Sequence, residues 1–178
     1  MGVNWHQAKA FSQWRTMILD NFLISRDEPL HDEFRLPTES EWEYASRGGL
    51  ENSPYPWGGP YTRSETGCFL ANFKPLRGNY TADGGEKTIK TASYNPNGYG
   101  LYDMAGNVFE WCSDWYDASY YAKSPEYNPT GPISGTMRVT RGSSWSYPPN
   151  RMQVSRRIEK HPTSMLDYVG FRCAKTEP

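Results

Sequence analysis

Arg35-Leu-Pro-Thr-Glu-Ser-Glu-Trp-Glu-Tyr-Ala45 is the stretch whose reading decides how this chain is organised. Thr38 and Glu41 stand three residues apart, the capping-box spacing in which each side chain satisfies a backbone N–H at a helix start. Glu39, Glu41 and Glu43 place negative charge where the helix dipole favours it. Gly48-Gly49 supplies the stop. A helix is therefore expected between Thr38 and Gly48, with Trp42 and Ala45 turned to the core.

Upstream, Asn4 and Gln7 repeat the capping-box pattern. Ala8, Phe11, Arg15, Ile18 and Phe22 then recur at three- and four-residue steps, which predicts one buried helical face ending near Leu23. Residues 25–34 are polar and broken by a proline, so they read as a loop. Downstream, from Glu51 to Asn97, periodicity is nearly absent. Pro-Tyr-Pro-Trp-Gly-Gly-Pro (54–60), Arg-Gly-Asn-Tyr (77–80) and Ala-Asp-Gly-Gly (82–85) are turn-rich. A segment of that length without elements tends to be functional. A bound cation is one physical way to hold it, since a cation organises carbonyls that no ladder satisfies. The last third reads as short strands at 107–111 and 137–142, with 153–158 and 168–173 as neighbours of the second.

Composition narrows the class. The 178 residues suit one domain spanning 1–178. Nineteen Lys and Arg against 20 Asp and Glu advertise neither nucleic acid nor an anionic membrane. No apolar run reaches the ~20 residues of a membrane span, and no leader peptide is visible. The opening Gly2-Val3-Asn4-Trp5 reads like the middle of a domain, so the missing leader says little about location. Seven Trp and 13 Tyr beside 16 Gly and 14 Pro point to a loop-rich fold cored by large rings. Three Cys leave at least one unpaired within the chain and exclude a dense disulfide scaffold.

Seven segments together resemble the formylglycine-generating-enzyme-like, or sulfatase-modifying-factor, superfamily. They are Val3-Asn4-Trp5-x-x-Ala8-x-x-Phe11, the 35–45 stretch, Tyr55-Pro-Trp-Gly58, Ala71-Asn72, Asn97 through Trp111, Arg138-Val-x-Arg-Gly142 and Gly170-Phe-Arg-Cys173. The resemblance implies an irregular α+β fold related to C-type lectins, with two helices and short antiparallel strands, and lacking the family's usual N-terminal portion. The insertion between Trp14 and Arg35, the run 53–61 and the run 67–79 are similar to gliding-motility lipoproteins of the GldJ and GldK type. That likeness implies a structural module of the type IX secretion and gliding machinery, associated with the periplasm and outer membrane, with other envelope proteins as partners.

The family's enzymes oxidise a sulfatase cysteine with two of their own, which bind copper and lie shortly after an Arg-Gly-Gly-Ser motif. Here that stretch is Arg141-Gly-Ser-Ser-Trp-Ser-Tyr-Pro-Pro-Asn-Arg-Met-Gln153, without cysteine, so no soft thiolate pair is available to copper and no catalytic residue is assigned. The cysteine that usually precedes the Trp motif is Ser12, which leaves Cys173 without that partner. His6, His31 and His161 are scattered singly, as surface or hydrogen-bonded histidines usually are. Arg151, Arg156 and Arg157 read as the solvated basic face of a strand, with anion binding as the alternative. Calcium is the cofactor the resemblance implies. One set of ligands maps to Asn72, Phe73, Asp83 and Gly85, and a second to Asp103, Gly106, Val108 and Glu110, with Phe73, Gly85, Gly106 and Val108 acting through main chain. Asp83 and Asp103 also read as ordinary turn caps. Three functions stay open: a non-catalytic envelope module, a formylglycine-generating oxidase, and a lectin-like ligand-binding domain.

Overall fold

The computed structural model describes residues 1–75, 79 and 81–175. Helix α1 runs Trp5–Ile24 behind the expected cap, in which Asn4 accepts from the Gln7 N–H and the Gln7 side chain accepts from the Asn4 N–H. The face it buries differs from the expected one. Trp5, Ala8, Ser12, Thr16 and Leu23 point inward, while Phe11, Ile18 and Phe22 are exposed. The hydroxyls explain the choice. Ser12 and Thr16 each bond a carbonyl one turn back, of Ala8 and Ser12, and the Thr16 oxygen also accepts from the Phe34 N–H. That contact seats strand β1 (Phe34–Arg35) beside the helix. Its partner is β6 (Ala174–Lys175), antiparallel.

Helix α2, Glu39–Arg47, carries both halves of the Thr38–Glu41 box. Glu41 also holds Arg35 in a bidentate pair at 2.6 Å, which keeps its carboxyl below the usual range. Trp42 is buried, and Ala45 packs partly buried against the same cluster. Gly48 ends the helix in the left-handed region, φ 56°. A Cβ there would meet the Gly98 nitrogen at 2.7 Å, so no larger residue fits.

The main sheet has four strands in the order β4 (Ile158–Lys160), β3 (Arg138–Arg141), β2 (Phe109–Trp115), β5 (Val169–Gly170). Pairs β2–β3 and β3–β4 are antiparallel, but β5 runs parallel to β2 and does not touch β3. The expected neighbour at 168–173 thus lies two places away, and the one at 153–158 reaches the sheet only at its end. Between 51 and 97 the described residues form no helix or strand beyond one bridge, Arg63 to Phe69. Of the turn read at 77–80, only Asn79 lies among the described residues.

Rings build the core, as composition implies. Trp5, Leu36, Phe109, Trp111 and Val169 form one cluster; Tyr55, Phe73 and Met152 a second; Trp42, Met104, Cys112 and Val139 a third. Three buried indoles keep their N–H satisfied: Trp5 donates to the Cys112 carbonyl, Trp111 to that of Val3, and Trp42 to Glu110. Beneath α2 lies a charged layer. Arg141, fully buried, pairs with Glu39 and Glu43 and donates to the Val154 carbonyl. Arg157 clamps Glu39 at 2.6 and 2.7 Å, and Asp114 accepts from the Glu39 N–H at 2.8 Å. Among the described residues, no helix is long and apolar enough to cross a membrane.

Candidate metal centre

The segment after β3 is where the family's catalytic cysteines would fall. Gly142 and Ser143 both turn left-handed, φ 87° and 67°. The Trp145 N–H donates to the Asn107 carbonyl, and the Ser144 and Ser146 hydroxyls lie 3.0 Å apart. A turn of 3-10 helix, Pro149–Arg151, follows. The segment presents hydroxyls and backbone, with no thiol. All three cysteines are free: Cys68 exposed, Cys112 buried, Cys173 between. Burial pushes the Cys112 thiol well up, so it is a packed side chain rather than a nucleophile.

Of the first expected set of calcium ligands, Phe73 and Asp83 are in contact, and Asn72 directly precedes Phe73 in the chain. Asn72 is 1 % exposed, and its amide donates to the Lys87 carbonyl at 2.8 Å and reaches Asn107 Oδ1 at 3.4 Å. Its backbone carbonyl accepts from the Asn107 N–H. Both donors of the amide are thereby spent, while Asn72 Oδ1 is buried without a partner. Next in chain, the Phe73 N–H donates to Asp83 Oδ2 at 2.7 Å, and Asp83 Oδ1 is likewise buried and unpartnered. Gly85 adds a backbone N–H to the same carboxylate. Burial pushes the Asp83 carboxyl up in spite of these N–H groups. Two buried oxygens without a donor, one of them on a carboxylate, are a costly arrangement in the absence of a cation or water. Calcium takes oxygens of this mixed kind.

The second set meets a different fate. Asp103, at φ 56°, accepts from the Ala92 N–H at 3.1 Å, which is the behaviour of a turn cap. Gly106 donates to the Gly142 carbonyl, and a Cβ on it would lie 2.3 Å from the Asn72 carbonyl oxygen. Val108 packs against Gly170. Glu110, however, is already neutralised. Arg172 clamps it through Nε at 2.6 Å and Nη2 at 2.7 Å, and Trp42 Nε1 donates at 2.6 Å. The same guanidinium reaches the Tyr102 carbonyl beside Asp103. A positive side chain stands where the sequence had suggested an ion.

Other candidates resolve more simply. His6 sits edge-on to the Trp5 ring, and His161 bonds Thr163. Among the described residues no three His, Cys, Asp or Glu side chains gather as a metal site; a calcium centre rich in carbonyl and amide oxygens does not need them. The three arginines are not one strand face. Arg151 ends the 3-10 turn, Arg156 is exposed in a turn, and Arg157 is drawn under α2 by Glu39. Sequence reasoning missed the Glu39–Arg141–Arg157 layer. Its trace in the sequence is the Glu39-Glu41-Glu43 run, whose charge the helix dipole also accounts for.

Residues 1–177 match the family described as the sulfatase-modifying factor enzyme 1-like domain. The formylglycine-generating enzyme of Streptomyces coelicolor is 41 % identical over 179 residues, covering 97 % of this chain and 51 % of that protein. An inactive Cα-formylglycine-generating enzyme 2 of Bos taurus is 34 % identical, covering 97 % of this chain and 48 % of its own length. The solved structure of PvdO from Pseudomonas aeruginosa superposes with a TM-score of 0.78 at 25 % identity, over 98 % of this chain and 60 % of that one. The chain thus spans about half the length of these two curated relatives. With its capped helices, ring-built core and mixed sheet, the chain belongs to the sulfatase-modifying factor enzyme 1-like domain family.

Proposed function

We propose that this chain is a non-catalytic member of its family, serving as a structural or interaction module of a cell-envelope assembly. One observation carries the reading: the 141–153 segment holds no cysteine, and the three thiols elsewhere form no pair. Oxidation of a peptidyl cysteine in this family runs through a copper-binding thiolate pair, and hydroxyls do not replace thiolates as ligands for copper(I). That an inactive relative exists at 34 % identity supports the idea that the fold is retained without the chemistry. The envelope setting rests on the likeness of residues 53–61 and 67–79 to gliding-motility lipoproteins. In this reading Asn72, Asp83 and the main chain of Phe73 and Gly85 would hold calcium, which would supply charge to a carboxylate otherwise buried without a counter-ion. Asp103, Gly106, Val108 and Glu110 are left out, because Arg172 already meets Glu110.

The test is direct. Purified protein is incubated with copper, reductant, oxygen and a sulfatase-motif peptide, and the peptide is weighed. The cysteine is expected to stay unconverted. Copper-dependent formation of the aldehyde overturns the non-catalytic reading. Fractionation of the native protein with outer-membrane material tests the envelope setting separately.

A further inference from the structure

Tyr44 and Tyr99 meet on the outside of the molecule. Their ring centroids lie 5.5 Å apart and 37° from parallel, and the Tyr99 hydroxyl donates to the Tyr44 hydroxyl at 3.1 Å. Tyr44 is 69 % exposed and Tyr99 46 %, so core packing does not account for the contact. Among the described residues one other pair of tyrosine rings touches, Tyr147 with Tyr168, and that pair is half-buried against Phe109.

The backbone beneath both rings is fixed. Tyr44 stands on α2, and Tyr99 sits in the turn after Asn97. The buried Asn97 amide donates to the Ala45 carbonyl at 2.6 Å and the Ser46 carbonyl at 3.1 Å, while its oxygen accepts from the Tyr99 and Leu101 N–H groups at 3.0 Å each. One side chain thereby caps the end of α2 and shapes the turn. Gly98 seals the joint, since a Cβ on it would lie 2.2 Å from the Gly48 carbonyl oxygen. Groups held on one frame react at effective concentrations that no solution reaches.

A phenol that loses one electron and its proton becomes a radical whose spin spreads to the carbons beside the oxygen. Two such radicals join at those carbons. In the product the two hydroxyls lie side by side, as those of Tyr44 and Tyr99 already do. The bond to Tyr44 holds the Tyr99 phenol above its ordinary value, so it keeps a proton to give at neutral pH.

We propose that Tyr44 and Tyr99 form an oxidative cross-linking site, at which a haem peroxidase using hydrogen peroxide joins the two rings into a dityrosine that staples α2 to the Asn97 turn. Each phenol gives up one electron and one proton. A carbon–carbon bond forms between the ring carbons next to the two hydroxyls, and the hydrogens on those carbons pass to the oxygens as the rings regain aromaticity. The peroxide takes both electrons and both protons and leaves as two waters. Neither calcium nor the missing thiol pair takes part.

The experiment treats the dilute chain with a haem peroxidase and equimolar hydrogen peroxide, then sizes, weighs and digests the products. The expected product is a single chain lighter by two hydrogens, with dityrosine fluorescence and one linked peptide pair carrying Tyr44 and Tyr99. Tyr44→Phe and Tyr99→Phe keep the rings and should each cut the yield of that product at least tenfold. Tyr127→Phe, at a tyrosine 80 % exposed, should leave it unchanged. No loss of hydrogen, a link between other tyrosines, or links only between two copies of the chain each overturn the proposal. The peptide map of the parent needs no variant to fold. The melting temperature of the linked product reads whether the rings couple in place. Closing a loop across 55 residues of chain should raise it by several degrees. An unchanged or lower value means that the rings must leave the folded arrangement to react, and it overturns the proposal as well.

Discussion

The hydroxyl of Ser12 lies 3.5 Å from the thiol of Cys173, across 161 residues of chain. The contact joins the inward face of α1 to the residue just before β6. A serine stands where the family resemblance places a cysteine, so the pair is a disulfide with one atom changed. Ser12→Cys should therefore oxidise to a bridge with Cys173 without moving backbone. Closing so long a loop stabilises by roughly 2–4 kcal/mol. At about 2–4 °C per kcal/mol for this size, the melting temperature should rise by several degrees and fall back in reductant. Mass analysis after alkylation checks the bond: two thiols should remain reactive. Four reactive thiols would show that the two side chains do not meet in solution.

Ser143 is fully buried, left-handed at φ 67°, and its hydroxyl has no partner. It occupies the second glycine position of the family's Arg-Gly-Gly-Ser motif. Left-handed backbone costs a non-glycine residue about 1–2 kcal/mol, and an unmet buried hydroxyl costs about as much again. Glycine brings back part of this as chain entropy. Ser143→Gly should still stabilise by about 1 kcal/mol, read as a higher denaturant midpoint at unchanged slope. A lower midpoint would mean that the hydroxyl is satisfied by water and that the turn is unstrained.

What the sequence made legible follows from the range of each interaction. The caps at Asn4–Gln7 and Thr38–Glu41 and the stop at Gly48 are local, and all three stand. The core face of α1 was misread because periodicity sees apolar residues, not who covers them. Phe11 and Ile18 keep helical spacing whether buried or exposed, and Ser12 and Thr16 become inward residues through the Ala8 and Ser12 carbonyls, the Phe34 N–H and the Cys173 thiol. Strand order failed for a similar reason. A two-residue strand such as β5 carries no pattern that says parallel to β2 rather than antiparallel to β3. At the candidate metal centre, the resemblance named Phe73 and Asp83, which the structure puts in contact. Nothing local to Glu110 revealed that Arg172, 62 residues on, would clamp it.

Asp114 predicts a pH dependence. Burial raises its carboxyl from the ordinary value of 3.8 to about 6, even though the Glu39 N–H and the Ser113 hydroxyl donate to it. The folded state therefore binds a proton between about pH 4 and pH 6 that the unfolded chain has released. Stability from this group is present below pH 4 and is lost as pH rises through 6. The total is on the order of 2–3 kcal/mol. Asp114→Asn keeps an acceptor for Glu39 and removes the titration. The stability difference between variant and parent should thus shift in the variant's favour by that amount between pH 4 and pH 7.5. Parallel denaturation midpoints across the range would show that Asp114 does not titrate there.

Asp83 and Glu110 make opposite predictions about calcium. Asp83 offers a buried, unpartnered oxygen, as does Asn72, whereas Glu110 already holds Arg172 and Trp42. A ligand that binds only the folded chain adds about 2.7 kcal/mol at a hundredfold excess over Kd. Chelator should lower the melting temperature by roughly 5–10 °C, and calcium should restore it. Asp83→Asn should abolish that response. Glu110→Gln should lower the melting temperature in both conditions, since it breaks a buried ion pair, yet keep the calcium increment. The reverse pattern would place the ion at Asp103 and Glu110. No increment in the parent, with no calcium by metal analysis, would leave the Asn72 and Asp83 oxygens to water. The sign with pH gives an independent check. Without a cation, burial raises the Asp83 carboxyl, so its ionisation opposes folding and stability falls as pH climbs past the ordinary carboxylate range. With calcium the ionised form is the one that folds. The calcium increment should therefore grow with pH through that range and vanish on acidification.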